Sequence, residues 1–362
     1  MKIAQIAPTW FSVPPHSYGG VEAIISELTE ELTKRGHEVT LFASGDSKTQ
    51  AKLFPVLEKA PGRNPLPVGE MSYEMKYLYN MFMALEKQEE FDLIHWHFGK
   101  DIAPIMFASL TKTPSVITIH NHFGDSDMAD ISEIMNHYQK LRYFVSISNS
   151  HRKHYPFDFI DTVYNGIDVK QFDYNEKSEK YFVWMGRFEK IKGPDVAIQI
   201  ALKMKIPLKL AAPKDSTSFF KEEIEPYIGK NNIEYVGEVN LQEKNELLGK
   251  AMAFISPINW EEPFGLVVPE SNACGTPIVA YARGAMPEII KNDINGYCVE
   301  KDNIDEMINV LQKIINLPPE KYINLRKSCR RYAEENFTTS TMTDNYEKVY
   351  KKIIDLEKEK VL

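Results

Sequence analysis

The chain has 362 residues, of which 43% are apolar and 26% charged. That is enough apolar chain for two cores at ~150 residues per domain, and it excludes a disordered chain, a collagen and a disulfide scaffold. Lys and Arg number 43 against 51 Asp and Glu, a net charge of −8 that argues against a nucleic-acid partner and leaves room only for a local basic cleft. No apolar run approaches the ~18 residues of a membrane helix. The first residues, Met1 to Pro8, are too short an apolar stretch and too proline-bounded for a signal peptide. Cys274, Cys298 and Cys329 are odd in number and lack metal-ligand spacing, which fits free thiols in a reducing cytoplasm.

Strand and helix patterns alternate from end to end. Residues 2–7 read as a strand. Val21, Ile24, Ile25, Leu28 and Leu32 then recur at helical spacing before Gly36, and 38–43 reads as a second strand. A helix is expected near 72–90, a strand at 91–96, a helix near 101–111, a strand at 115–119, a helix near 129–141 and a strand at 143–147. The polar stretch 168–180 reads as a linker. A second series follows, with strands at 181–185, 207–211, 233–236, 253–256 and 277–280, and the chain is helical from about 303. The segment 341–358 carries an apolar stripe of Tyr346, Val349, Tyr350, Ile353, Ile354 and Leu356 with no strand after it, so it is expected to return to the first domain. Continuous apolar strands with helices between them predict parallel sheets covered on both faces. The expected fold is α/β: a Rossmann-like, doubly wound domain over 1–170 with the returning 341–362, and a second over 171–340.

Ligands of such sheets bind beyond the carboxyl ends of the strands, so the loops there hold the candidate residues. Gly19 and Gly20 stand between the first strand and its helix, where small residues admit a close ligand. They do not have the G-x-G-x-x-G spacing of dinucleotide domains, which disfavours a dehydrogenase. His120 closes the strand at 115–119. His95 and His97 close another, with His122 nearby; a His-x-His pair on a strand points both rings to one face, and no Cys or firm carboxylate completes a metal set. In Gly186-Arg187-Phe188-Glu189-Lys190-Ile191-Lys192-Gly193, Arg187 offers a planar fork and Lys192 a point charge, a combination suited to phosphate oxygens. The stretch from Trp260 to Glu270 is the most informative. Glu262 lies in a loop, and Glu270 lies in the first turns of a helix running to about Cys274. The amides of Leu266, Val267 and Val268 are expected to be free at its start, and carboxylates beside such an anion site suit sugar and ribose hydroxyls.

Gly-Gly-x-Glu, a strand-ending His, Asn165-Gly166-Ile167-Asp168, Gly-Arg with Lys-Gly further on, and Glu-x-Phe-Gly with a second Glu occur here in one order. That series resembles the family-4 retaining glycosyltransferases of GT-B fold, from residue 3 to about 300, with Gly284, Pro287, Glu288 and Asn295-Gly296 similar to the family's closing pattern. The resemblance implies two domains facing across a cleft and a hexosyl transfer from a nucleoside-diphosphate sugar, UDP- or GDP-linked, to an acceptor hydroxyl, with no metal and no further cofactor. It implies that Gly19 and Gly20 approach the donor diphosphate and the acceptor, and that His120 touches the transferring sugar. Arg187 and Lys192, with the amides near Val267 and Val268, would hold the diphosphate. Glu262 and the Phe264-Gly265 backbone would bind sugar hydroxyls, and Glu270 the ribose. Asp125-Ser126-Asp127 is formally an Asp-x-Asp metal motif, read here as solvated surface. The acceptor could be a glycan, a lipid-linked glycan or a small metabolite, with at most peripheral membrane contact. A nucleotide-sugar epimerase of the same fold and a non-catalytic nucleotide-sugar-binding module are the competing readings.

Overall fold

The structure is a computed structural model that describes residues 1–16, 19–62, 72–99, 103–121, 137, 143–155 and 158–361. Tyr18, His122, Asp125, Asp127 and, apart from His137, the helix expected near 129–141 lie outside the described residues. The chain divides into two compact units, Met1–Gly166 with Thr339–Leu362, and Ile167–Thr338.

The first unit is built on a seven-stranded parallel sheet: β1 (Lys2–Ile6), β2 (Glu38–Ser44), β3 (Lys52–Leu57), β4 (Leu93–Phe98), β5 (Ser115–Ile119), β6 (Tyr143–Ser146) and β7 (Asp161–Thr162), in the order β3-β2-β1-β4-β5-β6-β7. Within β4 the side chains alternate. Ile94, Trp96 and Phe98 enter a core with Tyr77 and Met81 of the Tyr73–Glu86 helix. His95 and His97 point the other way, as the His-x-His spacing predicts, and His95 meets the Thr339–Val361 helix, whose Tyr346 and Tyr350 rings lie 5.0 and 5.6 Å from its own. Polar contacts fasten the same helix beside the Gly20–Lys34 helix: Arg35 Nη1 reaches Asp344 at 2.6 Å and Glu347 at 3.0 Å, and His37 Nε2 reaches Glu347 at 2.7 Å. β3 was not expected from the sequence because Pro55 interrupts its pattern. At a sheet edge the missing N–H costs nothing, so the proline is tolerated.

The second unit repeats the plan with β8 (Phe182–Met185), β9 (Leu208–Ala211), β10 (Ile233–Gly237), β11 (Ala253–Ser256), β12 (Ile278–Tyr281) and β13 (Gly296–Val299), all parallel in the order β10-β9-β8-β11-β12-β13. In each sheet the first strand of the series lies centrally and the order reverses beside it, so the loops after β8 and β11 are neighbours at a switch point. The stretch 168–180 is not a loose linker. Val169 and Phe172 are buried, the Asp173 amide donates to Asn245 at 3.0 Å, and Arg326 donates to the Asn175 carbonyl at 2.7 Å. Among the described residues no helix is long and apolar enough to cross a membrane.

Candidate active site

β8 ends at Met185, and Gly186 leads into the loop that carries both cations. Arg187 Nη1 pairs with Glu189 at 2.6 Å. Lys190–Lys192 make one 3-10 turn, pinned where the Trp184 indole donates to the Lys192 carbonyl at 3.1 Å. Gly193 follows at φ 67°, and a Cβ there would stand 2.1 Å from the carbonyl oxygen of Pro257, which directly follows β11. Only glycine permits that approach, and the Asn259 amide then donates to the Ile191 carbonyl at 2.7 Å. The loops after β8 and β11 are thereby held side by side.

This brings Lys192 Nζ to 2.8 Å from Glu262 Oε2 and to 4.3 Å from the centroid of the Trp260 ring. Trp260 Nε1 donates to the same Oε2 at 2.9 Å. Glu262 therefore has one oxygen fixed by two donors, while its Oε1 takes no bond from a described residue. The loop is anchored from behind: the Gly284 amide donates to Glu261 Oε2 at 2.7 Å and the Ala285 amide to the Glu262 carbonyl at 2.8 Å. A Cβ on Gly284, at φ 57°, would lie 2.3 Å from both the nitrogen and the oxygen of Glu262.

Beyond it the chain enters the Val267–Ala273 helix. The expectation of three free amides at its start narrows to two. Val268 donates to the Gly265 carbonyl at 3.0 Å, because the first turn tightens, while the Leu266 and Val267 amides find no acceptor among the described residues. Phe264 is buried, its ring edge-on to Phe337 at 5.9 Å. Glu270 sits one turn in, and its Oε1 accepts from Lys244 Nζ at 2.9 Å, a partner supplied by the Leu241–Lys250 helix. The sequence reading missed Lys244, Trp260 as an indole donor, and Glu261 as the anchor. The contiguous Trp-Glu-Glu run was a signal for the last two; nothing local marks Lys244.

In the first unit, Gly19 is buried and caps the Gly20–Lys34 helix, its carbonyl accepting from Ala23 at 3.0 Å; Gly20 is exposed. A Cβ on Gly19 would meet Pro15 at 2.7 Å and Glu22 Oε2 at 3.0 Å. Glu22 is 5% exposed, and burial raises its pKa to about 7. His120 follows β5 with its Nε2 3.0 Å from His97 Nδ1. Burial, reinforced by the nearby His151, lowers its pKa to about 3, so it is a neutral imidazole under physiological conditions. His95 and His97 are engaged in hydrogen bonds, and the described residues contain no group of three or more His, Cys, Asp or Glu able to hold a metal.

Two parallel Rossmann-like units, the second with Arg187, Lys192 and Glu262 in the loops at its switch point, have the architecture of a GT-B glycosyltransferase, and the comparisons show that class. Residues 18–171 match the family model "Glycosyltransferase Family 4" and residues 167–336 match "Glycosyl transferases group 1". An uncharacterised glycosyltransferase of Methanocaldococcus jannaschii is 25% identical over 87% of this chain and 89% of its own. In fold, the chain is similar to sucrose-phosphate synthase from Thermosynechococcus elongatus, with a TM-score of 0.78 at 17% identity over 98% and 99% of the two chains. It is also similar to Anabaena HepE in complex with UDP-glucose, with a TM-score of 0.73 at 16% identity over 97% and 100%. The chain belongs to the family-4 glycosyltransferases.

Proposed function

We propose that this glycosyltransferase moves a hexosyl group from a UDP- or GDP-linked sugar to an acceptor hydroxyl, with retention at the sugar carbon and without a metal ion. The observation that carries the reading is the Lys192–Glu262 pair, its lysine on the loop that also carries Arg187, at the switch point of the second unit. When the bond from the sugar carbon to the diphosphate oxygen breaks, negative charge grows on that oxygen. Arg187 and Lys192 are fixed cations suited to balance it, and the Leu266 and Val267 amides add partial positive charge. Glu262 Oε1 accepts from a sugar hydroxyl, and the free oxygen of Glu270 accepts from the ribose. His120 acts on the transferring sugar. The acceptor oxygen bonds to the sugar carbon on the face the diphosphate leaves, and the leaving phosphate takes the acceptor's proton. A neighbour's complex with UDP-glucose supports the choice of donor class.

A panel of UDP- and GDP-hexoses, incubated without acceptor in excess EDTA, tests this reading through release of nucleoside diphosphate. Hydrolysis of at least one donor is expected. Complete loss in EDTA, restored by magnesium or manganese, would overturn metal independence and promote Asp125 and Asp127.

A further inference from the structure

His120 is the visible end of a chain of buried polar side chains that runs through the first unit. Its Nε2 meets His97 Nδ1 at 3.0 Å, and His97 Nε2 meets Gln5 Oε1 at 2.6 Å. Gln5 Nε2 donates to the Tyr350 hydroxyl at 3.3 Å, which lies 2.7 Å from His95 Nδ1. His95 Nε2 meets Thr118 Oγ1 at 2.7 Å, and Thr118 meets the Tyr346 hydroxyl at 3.1 Å. The sheet register builds this line. Gln5 pairs with His95 and His97 with Thr118, so these residues share one face, the one the Thr339–Val361 helix covers.

The chain has a single direction. A carboxamide oxygen only accepts, so His97 carries its proton on Nε2 and offers a bare Nδ1. One proton must lie between His97 and His120, and it therefore belongs to His120 Nε2. His120 is left with a bare Nδ1, which takes no bond from a described residue. At the other end the Tyr350 hydroxyl accepts from Gln5 and donates to His95, whose Nε2–H then donates to Thr118. Turning the Gln5 amide over would reverse every proton in the line, so the orientation of Gln5 and the tautomer of His120 are one variable. Burial keeps all three imidazoles neutral, His95 and His97 well below their ordinary range, and so preserves the one-proton logic.

We propose that Gln5, His97 and Tyr350 are positioning residues that hold His120 as its Nε2–H tautomer, so that Nδ1 accepts from a hydroxyl of the transferring sugar. This rests on the role given to His120 above. It also makes the Thr339–Val361 helix, through Tyr350, part of how the sugar is read.

The test is the long-range nitrogen–proton spectrum of the intact protein labelled with 15N-histidine, with the His120 signals assigned by the His120→Gln variant. The expected result is a protonated Nε2 and a bare Nδ1; the opposite tautomer, or an even mixture, overturns the proposal whatever the enzyme's substrate. Gln5→Leu, which removes the acceptor of the His97 Nε2–H, should mix the tautomer. Gln5→Leu should also lower turnover on the order of tenfold, the loss of about one hydrogen bond in the transition state, with nucleoside diphosphate affinity unchanged. A mixed tautomer with full turnover would refute the positioning role. Full turnover in His120→Ala would instead refute the role of His120 on which this rests, a failure distinguishable because the wild-type spectrum does not depend on it.

Discussion

Lys192 and Glu262 are 70 residues apart in sequence and 2.8 Å apart at Nζ and Oε2. The pair gives each residue a second duty. The carboxylate holds the ammonium on its stem, and the ammonium and Trp260 together fix one carboxylate oxygen, which leaves the other oriented.

Removing either partner should therefore also disturb the other. Lys192→Ala, Arg187→Ala and Glu262→Ala are each expected to lower turnover by on the order of 10²-fold, the scale of one lost transition-state donor. Glu262→Gln keeps an acceptor at Oε1 but loses the pairing charge, so its defect should be smaller. Steady-state rates for the four variants check this, and a Glu262→Ala enzyme with normal turnover would overturn the site.

Glu270 and Lys244 should behave differently. A ribose contact is equal in the ground and transition states, so Glu270→Ala should raise KM and weaken calorimetric binding of the bare nucleoside diphosphate while kcat changes little. Lys244→Ala leaves Glu270 without the partner that orients it and should give a weaker version of the same pattern. Loss of kcat with unchanged affinity in Glu270→Ala would count against the assignment.

Glu22 imposes a pH dependence on stability. Burial raises its folded pKa from 4.5 to about 7, so the folded state holds its proton more tightly than the unfolded chain does. The stabilisation is complete below the unfolded pKa and is lost as pH rises through about 7, an effect of about 3 kcal/mol. Glu22→Gln keeps a neutral side chain there at every pH. Denaturant melts between pH 4.5 and 8 should show the wild type losing stability relative to the variant as pH rises, and parallel curves would refute this.

Arg326 is fully buried and donates to the carbonyls of Asn175, Gly249, Ala251 and Cys274, at 2.7, 2.6, 2.9 and 3.3 Å. It ties the segment that enters the second unit to the end of the Leu241–Lys250 helix and to the helix bearing Glu270. Arg326→Met fills the space but takes a donor from each of those four carbonyls, and is expected to destabilise by about 3 kcal/mol. Chemical denaturation measures it, and a variant as stable as the wild type would contradict the role.

The sequence disclosed the parallel sheets because buried strands such as Ala253–Ser256 are apolar throughout, and it singled out Arg187, Lys192, Glu262 and Glu270 as candidates because they fall in loops after strands or at a helix start. β3 escaped notice because Pro55 breaks its pattern, and 168–180 was misread because its ties are made by backbone groups whose partners, Asn245 and Arg326, lie far along the chain. Lys244 was invisible for the same reason. The histidines were noticed singly, but their chain needs Gln5, Thr118 and Tyr350, three residues that only sheet register and a returning helix bring together.

The second unit enters and leaves at one place. Ile167 and Thr338 form a parallel bridge, and the Ile167 amide donates to the Phe337 carbonyl at 2.9 Å. Topologically the second unit is thus an insertion between Gly166 and Thr339, with its own ends already paired. On the far side of the junction, the Gly166 amide lies 3.2 Å from the sulfur of Met342, so the first unit's two cut ends are also adjacent. Such an arrangement lets one module be exchanged whole without rethreading the other. The second unit could be replaced at this seam while the histidine line and the helix that covers it stay in place.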